Sequence, residues 1–432
     1  MHLEETPENR KRHFDAFLFR TGEEFFSELK TVLRSLGVHV PLSDQNYETP
    51  LPGTRNLYDY VDVHFYWAHP RPLSRGAEEL PNFTSNLSAV AAAAGGIRDV
   101  FRHALDGKPM VISEWNYCYP NSYIFEGPLL AGAYAALQDY DGLIQFYYTG
   151  KAGQEAKPEL GPFLIGTNPM MRLASRCGAL LFLRNDVSAA PLSALTTEKA
   201  AGLIGTRLPL MTRIRLRTEN SSADLPLILA PSETPDRKTW IRHGKEDSFF
   251  ADLTRAGVIP PGKAQGEKIV STTGELVLDP EQGTFHVAAE RSEALVLPEK
   301  KSFSGKRMRI RNGSAPAAFF LASADDRPLP ESRRLLLMHL TDVKCDGQTF
   351  ADRERTIQEK AGDPGKMLLR RNRAELFLKL SGEFRIFACD SSGKRLFELP
   401  VDGRERDGTA RLILDNGADD RSILLYELEV GK

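Results

Sequence analysis

The spacing of hydrophobic and polar positions changes along the chain and divides it into two parts. From residue 14 to about 184, segments with apolar residues at three- and four-residue steps alternate with short apolar runs. This pattern predicts helices that alternate with strands, as in βα units around a parallel sheet. From about residue 185 onward, short alternating segments are separated by Gly, Asp and Ser. The second part therefore predicts antiparallel hairpins, arranged as a β-sandwich or as two small β-modules.

The first part contains four predicted strands and four predicted helices. The strands lie at 38–42, 58–67, 108–115 and 141–150, and the helices lie at 14–37, about 87–105, 129–140 and 169–183. The strands are apolar runs without strict alternation, which is typical of strands covered on both faces. In the second part, Asp279-Pro280 and Gln282-Gly283 predict a hairpin within residues 273–289.

Composition and charge exclude several classes of function. The chain of 432 residues has 41% hydrophobic and 26% charged residues and a net charge of −2. This is typical of a globular protein. The charge also lacks the basic surplus expected of a nucleic-acid or anionic-membrane binder, so neither partner is predicted. The four cysteines are far apart with no CxxC pair. Buried free thiols are therefore expected rather than a zinc site or a disulfide framework.

The N-terminal sequence and the hydropathy of the chain bear on its localisation. The first residues, MHLEETPENRKRHF, are polar and charged and contain no apolar signal-peptide core. No stretch approaches the roughly 18 apolar residues of a membrane span. As written, the chain is predicted to be cytoplasmic. Secretion is expected only if it is an N-terminally truncated reading of a longer gene.

Polar and aromatic residues stand at the C-terminal ends of the four predicted strands. In chain order these are Asp44, Gln45 and Asn46; His64, Tyr66 and Trp67; Glu114, Trp115 and Asn116; and Gln145, Tyr147 and Tyr148. In a parallel α/β barrel these ends face the active site. Each residue alone also fits a structural role, such as a core histidine or a tyrosine packed on a helix. Together they supply a carboxylate, amides and aromatic faces, which are the groups a sugar site uses.

Two of these strand ends resemble a known family. His-x-Tyr at the end of one strand (His64, Tyr66), followed by a strand that ends in Glu114, resembles strands six and seven of clan A glycoside hydrolases. The cellulase-like family 5 is the closest pattern. The sequence SEWN and the helix that contains AYAALQDYDG, followed by a β-sandwich, resemble the corresponding parts of large bacterial glycosyl-hydrolase-like proteins.

The resemblance implies a fold and roles for individual residues. The fold would be a partial (β/α) TIM-type barrel in residues 1–185, with about four βα units equivalent to strands five to eight, followed by the β-sandwich region in residues 186–432. Glu114 would be the nucleophile of a retaining enzyme, with Tyr66 as its hydrogen-bond partner and His64 on the substrate side. The substrate-binding residues would be Asn46, Trp67, Trp115, Asn116, Gln145, Tyr147 and Tyr148, and one of the last two tyrosines stands where the family usually has a Trp platform.

The chain departs from the family at its front. A complete barrel takes about 250 residues, and strands one to four, with the family's acid/base glutamate, have no counterpart before residue 38. Glu4 and Glu5 are not preceded by the expected Asn-Glu pair. The sequence leaves open a homodimer, a separately encoded front half that completes the barrel, a compact four-stranded domain, or a truncated reading.

The sequence leaves two classes of function open. The first is a retaining O-glycoside hydrolase, or its C-terminal catalytic half, with a carbohydrate substrate. The second is a non-catalytic carbohydrate-binding or structural remnant of a glycosidase. The chain lacks GxSxG, GxGxxG and GxxxxGK[ST] motifs in strand–helix context, so other hydrolase and nucleotide chemistry is set aside and no cofactor is expected. His64 and His69 do not have the spacing of helical metal ligands, so no metal site is predicted.

Overall fold

In the computed structural model, more of the described residues lie in strands than in helices. The described residues are 7–43, 52–73, 80–149, 160–197, 207–217, 227–231, 241–243, 268–418 and 421–431. Within them the strands form six sheets. The helices are α1 (Pro7–Ser35), α2 (Glu126–Leu137), α3 (Pro169–Phe182) and the short α4 (Leu208–Met211), with 3₁₀ helices at Pro52–Leu57 and Ile97–His103. The prediction of a partial TIM-type barrel is therefore wrong, because strands and helices do not alternate as such a repeat requires.

Among the described residues, the region that was predicted to form a barrel contains one purely parallel sheet, and this sheet has three strands. They are, in spatial order, β1 (Val61–Trp67), β4 (Met110–Tyr117) and β5 (Gly142–Gln145). The predicted strand at 38–42 is absent. Helix α1 ends before Gly37, which has a φ of +82°, and the Arg34 guanidinium then donates to the carbonyls of Val38 and Val40. These residues form a helix-terminating turn instead of a strand.

The connection from β1 to β4 also differs from a βα unit. It contains the short strands β2 (Arg71–Pro72) and β3 (Asn82–Phe83) and the 3₁₀ helix Ile97–His103, in place of the helix predicted at about 87–105. Ala93, Ala94 and Gly96 have φ angles of +53°, +59° and +91°, which no α-helix contains. The alanines favour a helix, but tertiary packing imposes turns on this segment.

Two antiparallel sheets contain most of the described strand residues of the second part. The nine-stranded sheet contains, in spatial order, β10 (Ile269–Val270), β11 (Leu276–Asp279), β12 (Thr284–Ala288), β13 (Ser292–Leu297), β16 (Ala317–Ser323), β17 (Arg334–Leu340), β27 (Leu425–Val430), β23 (Phe384–Cys389) and β24 (Arg395–Leu399). The five-stranded sheet contains β14 (Ser302–Ser304), β15 (Met308–Arg311), β22 (Arg373–Leu378), β26 (Ala410–Asp415) and β25 (Gly403–Arg404). The predicted hairpin at 273–289 forms between β11 and β12.

The nine-stranded sheet lies in the middle of the molecule, between two hydrophobic layers. One face packs on the helices, as shown by the Tyr134 ring of α2, which stacks on Phe285 with centroids 5.7 Å apart. The other face packs on the five-stranded sheet through residues such as Phe319, Ile310 and Leu412. Strand β16 is accordingly buried along its whole length. The first and second parts of the chain therefore share one of the two cores.

Helices α2 and α3 cross at a close backbone contact. A Cβ atom on Gly132 would lie 2.4 Å from the carbonyl oxygen of Gly178, so only glycine allows this approach. Helix α3 begins after Asn168, whose side chain accepts the Met171 N–H at 3.0 Å as an N-cap. These two helices pack against β4 and β5 of the parallel sheet.

Residues 343–369 form an extension, called the arm below, that reaches from the second part to the first. Its strands β18 (Val343–Asp346) and β21 (Asp363–Leu369) pair with each other, and β19 (Thr349–Phe350) and β20 (Ile357–Lys360) join β3 and β2 in a four-stranded sheet. The Tyr119 hydroxyl also donates to the arm residue Gln348 at 2.7 Å. The arm therefore packs beside the segments that follow β1 and β4.

A last mixed sheet lies at the junction of the two parts. Its strands are, in spatial order, β7 (Arg213–Arg217), β6 (Leu192–Thr197), β8 (Leu227–Pro231) and β9 (Ile241–His243). Within the described ranges, no helix combines the length and apolarity that a membrane crossing needs.

Candidate functional site

The candidate site forms where β1 and β4 run side by side. Their parallel pairing shifts register just before His64, so that β4 carries one extra residue at this point. As a result Ser113 and Glu114 are both partly exposed, whereas Ile112 and Trp115 on either side are buried. A β-bulge of this kind re-aims a side chain and is frequent next to active sites.

The Glu114 carboxylate is held by two side chains of the neighbouring strand. The Tyr66 hydroxyl donates a hydrogen bond to Oε1, and Nδ1 of His64 lies 3.7 Å from Oε2. The side chains of His64 and Glu114 remain 22% and 29% exposed. Burial and the adjacent Glu114 carboxylate raise the pKa of the Tyr66 phenol. The phenol therefore stays protonated and acts as the donor, which fixes one carboxylate oxygen and directs the other toward His64.

The other ring nitrogen of His64 is also engaged. Nε2 lies 2.9 Å from the hydroxyl oxygen of Ser113. Both ring nitrogens thus face a polar group of β4, and the ring orientation is set by residues on either side of the bulge. Ser113 was not predicted as a site residue, because no sequence pattern shows where a strand will bulge.

Aromatic rings surround the Tyr66 side chain. His69 and Phe163 contact it edge to face with centroids 5.1 and 5.3 Å away, and Phe146 lies at 6.5 Å. The Tyr147 ring contacts Phe146 at 4.6 Å. The rings of Phe146, Tyr147 and Phe163 are partly exposed. Of these three rings only Tyr147 was predicted as a site residue, since Phe163 comes from a loop with no recognisable pattern.

Asn116 supports this wall from within the protein. It is 1% exposed, and its Nδ2 donates to the carbonyls of Phe146 and of Phe163, the latter at 2.8 Å. Its Oδ1 accepts the Tyr117 N–H at 2.9 Å and the Gln145 amide at 3.2 Å. Asn116 was predicted to bind substrate, and the structure instead gives its polar atoms to the segments that carry the aromatic rings.

The two tryptophans that were predicted to bind substrate lie away from the contacts that Glu114 makes with Tyr66 and His64. Trp115 is 4% exposed and stacks on Phe65 at 5.8 Å in the core. The indole N–H of Trp67 donates to the Leu87 carbonyl at 3.0 Å, and a Cβ atom on Gly95 would lie 2.3 Å from its ring. The Trp115 indole is therefore buried in the core, and the Trp67 indole is partly buried against the same core.

The remaining predicted binding residues are placed differently from one another. Gln145 accepts the Ser175 hydroxyl at 2.6 Å, which ties the end of β5 to α3. Tyr148 is 59% exposed at the surface. Asn46 lies outside the described residues. Of the substrate-binding set, the structure therefore brings Tyr147 to the wall beside Tyr66 and leaves Tyr148 on the surface.

A second carboxylate, Glu126, is fully buried at the start of α2. The Ser88 hydroxyl donates to its two oxygens at 2.9 and 3.0 Å, and the Val90 N–H donates at 3.0 Å. Burial raises the pKa of Glu126 to about 7, although these hydrogen bonds lower it. Glu126 therefore fastens the turn at 88–90 to α2 and has a structural role.

The arrangement around Glu114 suits nucleophilic or general-base chemistry by a single oriented carboxylate. Among the described residues, no three His, Cys, Asp or Glu side chains are placed to hold a metal ion. The cysteines Cys118, Cys177, Cys345 and Cys389 are buried free thiols, as expected from their spacing.

Comparisons of the chain with protein-family models, curated proteins and solved structures gave no match.

Proposed function

We propose that this chain carries the nucleophile of a retaining O-glycoside hydrolase, and that Glu114 is the attacking carboxylate. The observation that carries the proposal is the contact of Glu114 with Tyr66 and His64 at the ends of adjacent parallel strands. In retaining hydrolysis a carboxylate attacks the anomeric carbon and forms a covalent glycosyl-enzyme, which water then cleaves. Attack requires a carboxylate whose direction is fixed, since misplacement of a reacting atom by about 1 Å can cost about 10²-fold in rate.

The neighbours of Glu114 support this role in different ways. The protonated Tyr66 phenol holds Oε1, which leaves Oε2 to attack. The imidazole of His64 lies 3.7 Å from Oε2 and is held in turn by Ser113, so it limits the directions that this oxygen can take. The partly exposed rings of Phe146, Tyr147 and Phe163 provide apolar faces of the kind that pack on the C–H faces of a sugar ring.

Departure of a sugar alkoxide also needs a proton donor. General acid catalysis contributes about 10²–10⁴-fold, and the retaining mechanism uses a second carboxyl group about 5–5.5 Å from the nucleophile. The proposal assigns no residue to that task. It therefore predicts cleavage of substrates whose leaving group departs without protonation.

The test is the release of 2,4-dinitrophenol from a panel of 2,4-dinitrophenyl glycosides by the purified chain. Glu114→Gln keeps the shape of the side chain and removes the nucleophile. Glu398→Gln is the matched control, because Glu398 is 42% exposed and pairs with Arg385 on the surface. The proposal expects a burst or turnover that Glu114→Gln abolishes and Glu398→Gln retains.

The second candidate function is carbohydrate binding without cleavage. It is favoured by the same partly exposed aromatic wall, which could hold a sugar whether or not it is cleaved. If a folded chain releases no dinitrophenol from any sugar but still binds one by calorimetry, the hydrolase proposal fails and the binding function replaces it.

A further inference from the structure

A cavity of about 290 Å³ lies at the base of the arm, far along the chain from Glu114. Its lining residues are Asp342, Lys344, Arg355, Leu368, Leu369 and Arg370. The volume is near the lower end of small-molecule pockets, which begin at about 300 Å³. A cavity of this size holds one molecule no larger than a monosaccharide.

The cavity is built around a buried ion pair that is only partly satisfied. Nη1 of Arg355 donates to Oδ2 of Asp342 at 2.7 Å, and the Asp342 side chain is 6% exposed. Nε and Nη2 of Arg355 and Oδ1 of Asp342 are buried without a hydrogen-bond partner in the protein. Buried polar atoms are paired in the great majority of cases, so this set of two donors and one acceptor is suited to a polar group in the cavity.

The geometry of the unpaired atoms defines the chemistry that would fit. Nε and Nη2 lie on one edge of the guanidinium, and that edge binds both oxygens of a carboxylate. The guanidinium carbon of Arg355 lies over the Phe350 ring, 5.0 Å from its centroid, so this ring packs against the guanidinium group. The unpaired oxygen of Asp342 needs a donor, which a hydroxyl next to the carboxylate supplies.

The charges around the cavity favour a single negative charge. Lys344, Arg355 and Arg370 contribute three positive charges against Asp342, and Glu299 lies 3.8 Å from Arg370. The balance is one positive charge. A phosphate dianion would exceed this balance and would be repelled by Asp342, whereas a carboxylate matches it.

We infer that this cavity binds a small hydroxycarboxylic acid of monosaccharide size, such as a uronic acid. Its carboxylate binds Nε and Nη2 of Arg355, and a neighbouring hydroxyl donates to Oδ1 of Asp342. The Arg355 side chain as a whole is 23% exposed and lines the cavity, while its unpaired nitrogens are themselves buried. The inference does not depend on the proposed hydrolase function.

Isothermal titration calorimetry of the full chain tests this, with D-glucuronate, D-glucose and inorganic phosphate as probes. Arg355→Lys keeps the charge and removes the two-donor edge. Arg385→Lys is the matched control on an exposed pair. We expect glucuronate to bind at least tenfold more tightly than glucose or phosphate, and Arg355→Lys to weaken glucuronate binding at least tenfold. Arg385→Lys should bind it as the wild-type chain does.

A second variant keeps the test decisive if Arg355→Lys does not fold, which thermal unfolding would show. Lys344 is exposed, so Lys344→Gln leaves the fold intact and removes one positive charge. It should weaken glucuronate binding several-fold. The inference is wrong if glucuronate binds no better than glucose or phosphate, if folded Arg355→Lys binds as the wild type does, or if neither variant changes the affinity.

Discussion

Glu126 makes the stability of the fold depend on pH in a direction that the structure determines. This carboxylate is 2% exposed, and burial raises its pKa from 4.5 to about 7. A folded-state pKa above the unfolded value means that the folded chain binds the extra proton. The corresponding stability is therefore fully present below about pH 4.5 and is lost as the pH rises through about 7.

The size of the effect follows from the same pKa change. A shift from 4.5 to about 7, at about 1.4 kcal/mol per pKa unit, gives about 3 kcal/mol. Glu126→Gln replaces the carboxyl with a neutral group whose oxygen can still accept the Val90 N–H. The variant should therefore lack this part of the pH dependence.

The assay is urea-induced unfolding of the wild-type chain and Glu126→Gln at pH 4.5 and pH 8. The free energy of unfolding of the wild type should fall by about 3 kcal/mol more than that of the variant over this range. If the two proteins change in parallel to within about 1 kcal/mol, Glu126 does not hold its proton in the folded state, and the reasoning from burial is refuted.

Two further predictions concern the residues that hold Glu114 and its wall. Tyr66→Phe removes a hydrogen bond to a charged group, worth about 1.5–3 kcal/mol. It should lower kcat/KM for dinitrophenyl glycosides by about 10–100-fold. An unchanged kcat/KM would show that Tyr66 does not assist Glu114. Asn116→Ala leaves the partly buried carbonyls of Phe146 and Phe163 without this donor. It should lower the free energy of unfolding by about 2 kcal/mol or more, whereas a residue that only binds substrate would change binding and not stability.

The elements that the sequence predicted well are those whose signals are local. Helix α3 begins at Pro169 after an Asn cap, and the β11–β12 hairpin turns at Gly283, which has a φ of +61°. The strands that hold His64 and Glu114 are apolar runs bounded by polar segments. In each case a few neighbouring residues determine the backbone.

The fold as a whole was not predictable from the same signals. The alanine-rich segment before β4 has helical propensity, yet Ala93 and Ala94 adopt positive φ angles next to the turn that Glu126 fastens. The motif of His64, Tyr66 and Glu114 specifies two adjacent strands and no more. Extending it to a half-barrel failed because sheet closure depends on long-range pairing, and the central sheet of this molecule comes from residues after 268.

The candidate site was partly predictable for the same reason. Consecutive parallel strands with polar ends bring those ends together, and the structure does place Tyr66 and His64 at Glu114. Ser113 enters only through the bulge, and Phe163 enters from a separate loop. Neither position has a periodic or compositional signal, so three-dimensional packing alone reveals them.

The most direct measurement for the central claim is to trap the intermediate. The purified chain would be incubated with 2,4-dinitrophenyl 2-deoxy-2-fluoroglycosides of several sugars and analysed by mass spectrometry of the intact protein and its peptides. Retaining chemistry at Glu114 predicts one covalent fluoroglycosyl adduct, on the peptide that contains Glu114, and no adduct with Glu114→Gln. An adduct on another residue, or no adduct while a folded chain binds the sugar, would contradict the assignment of Glu114 as the nucleophile.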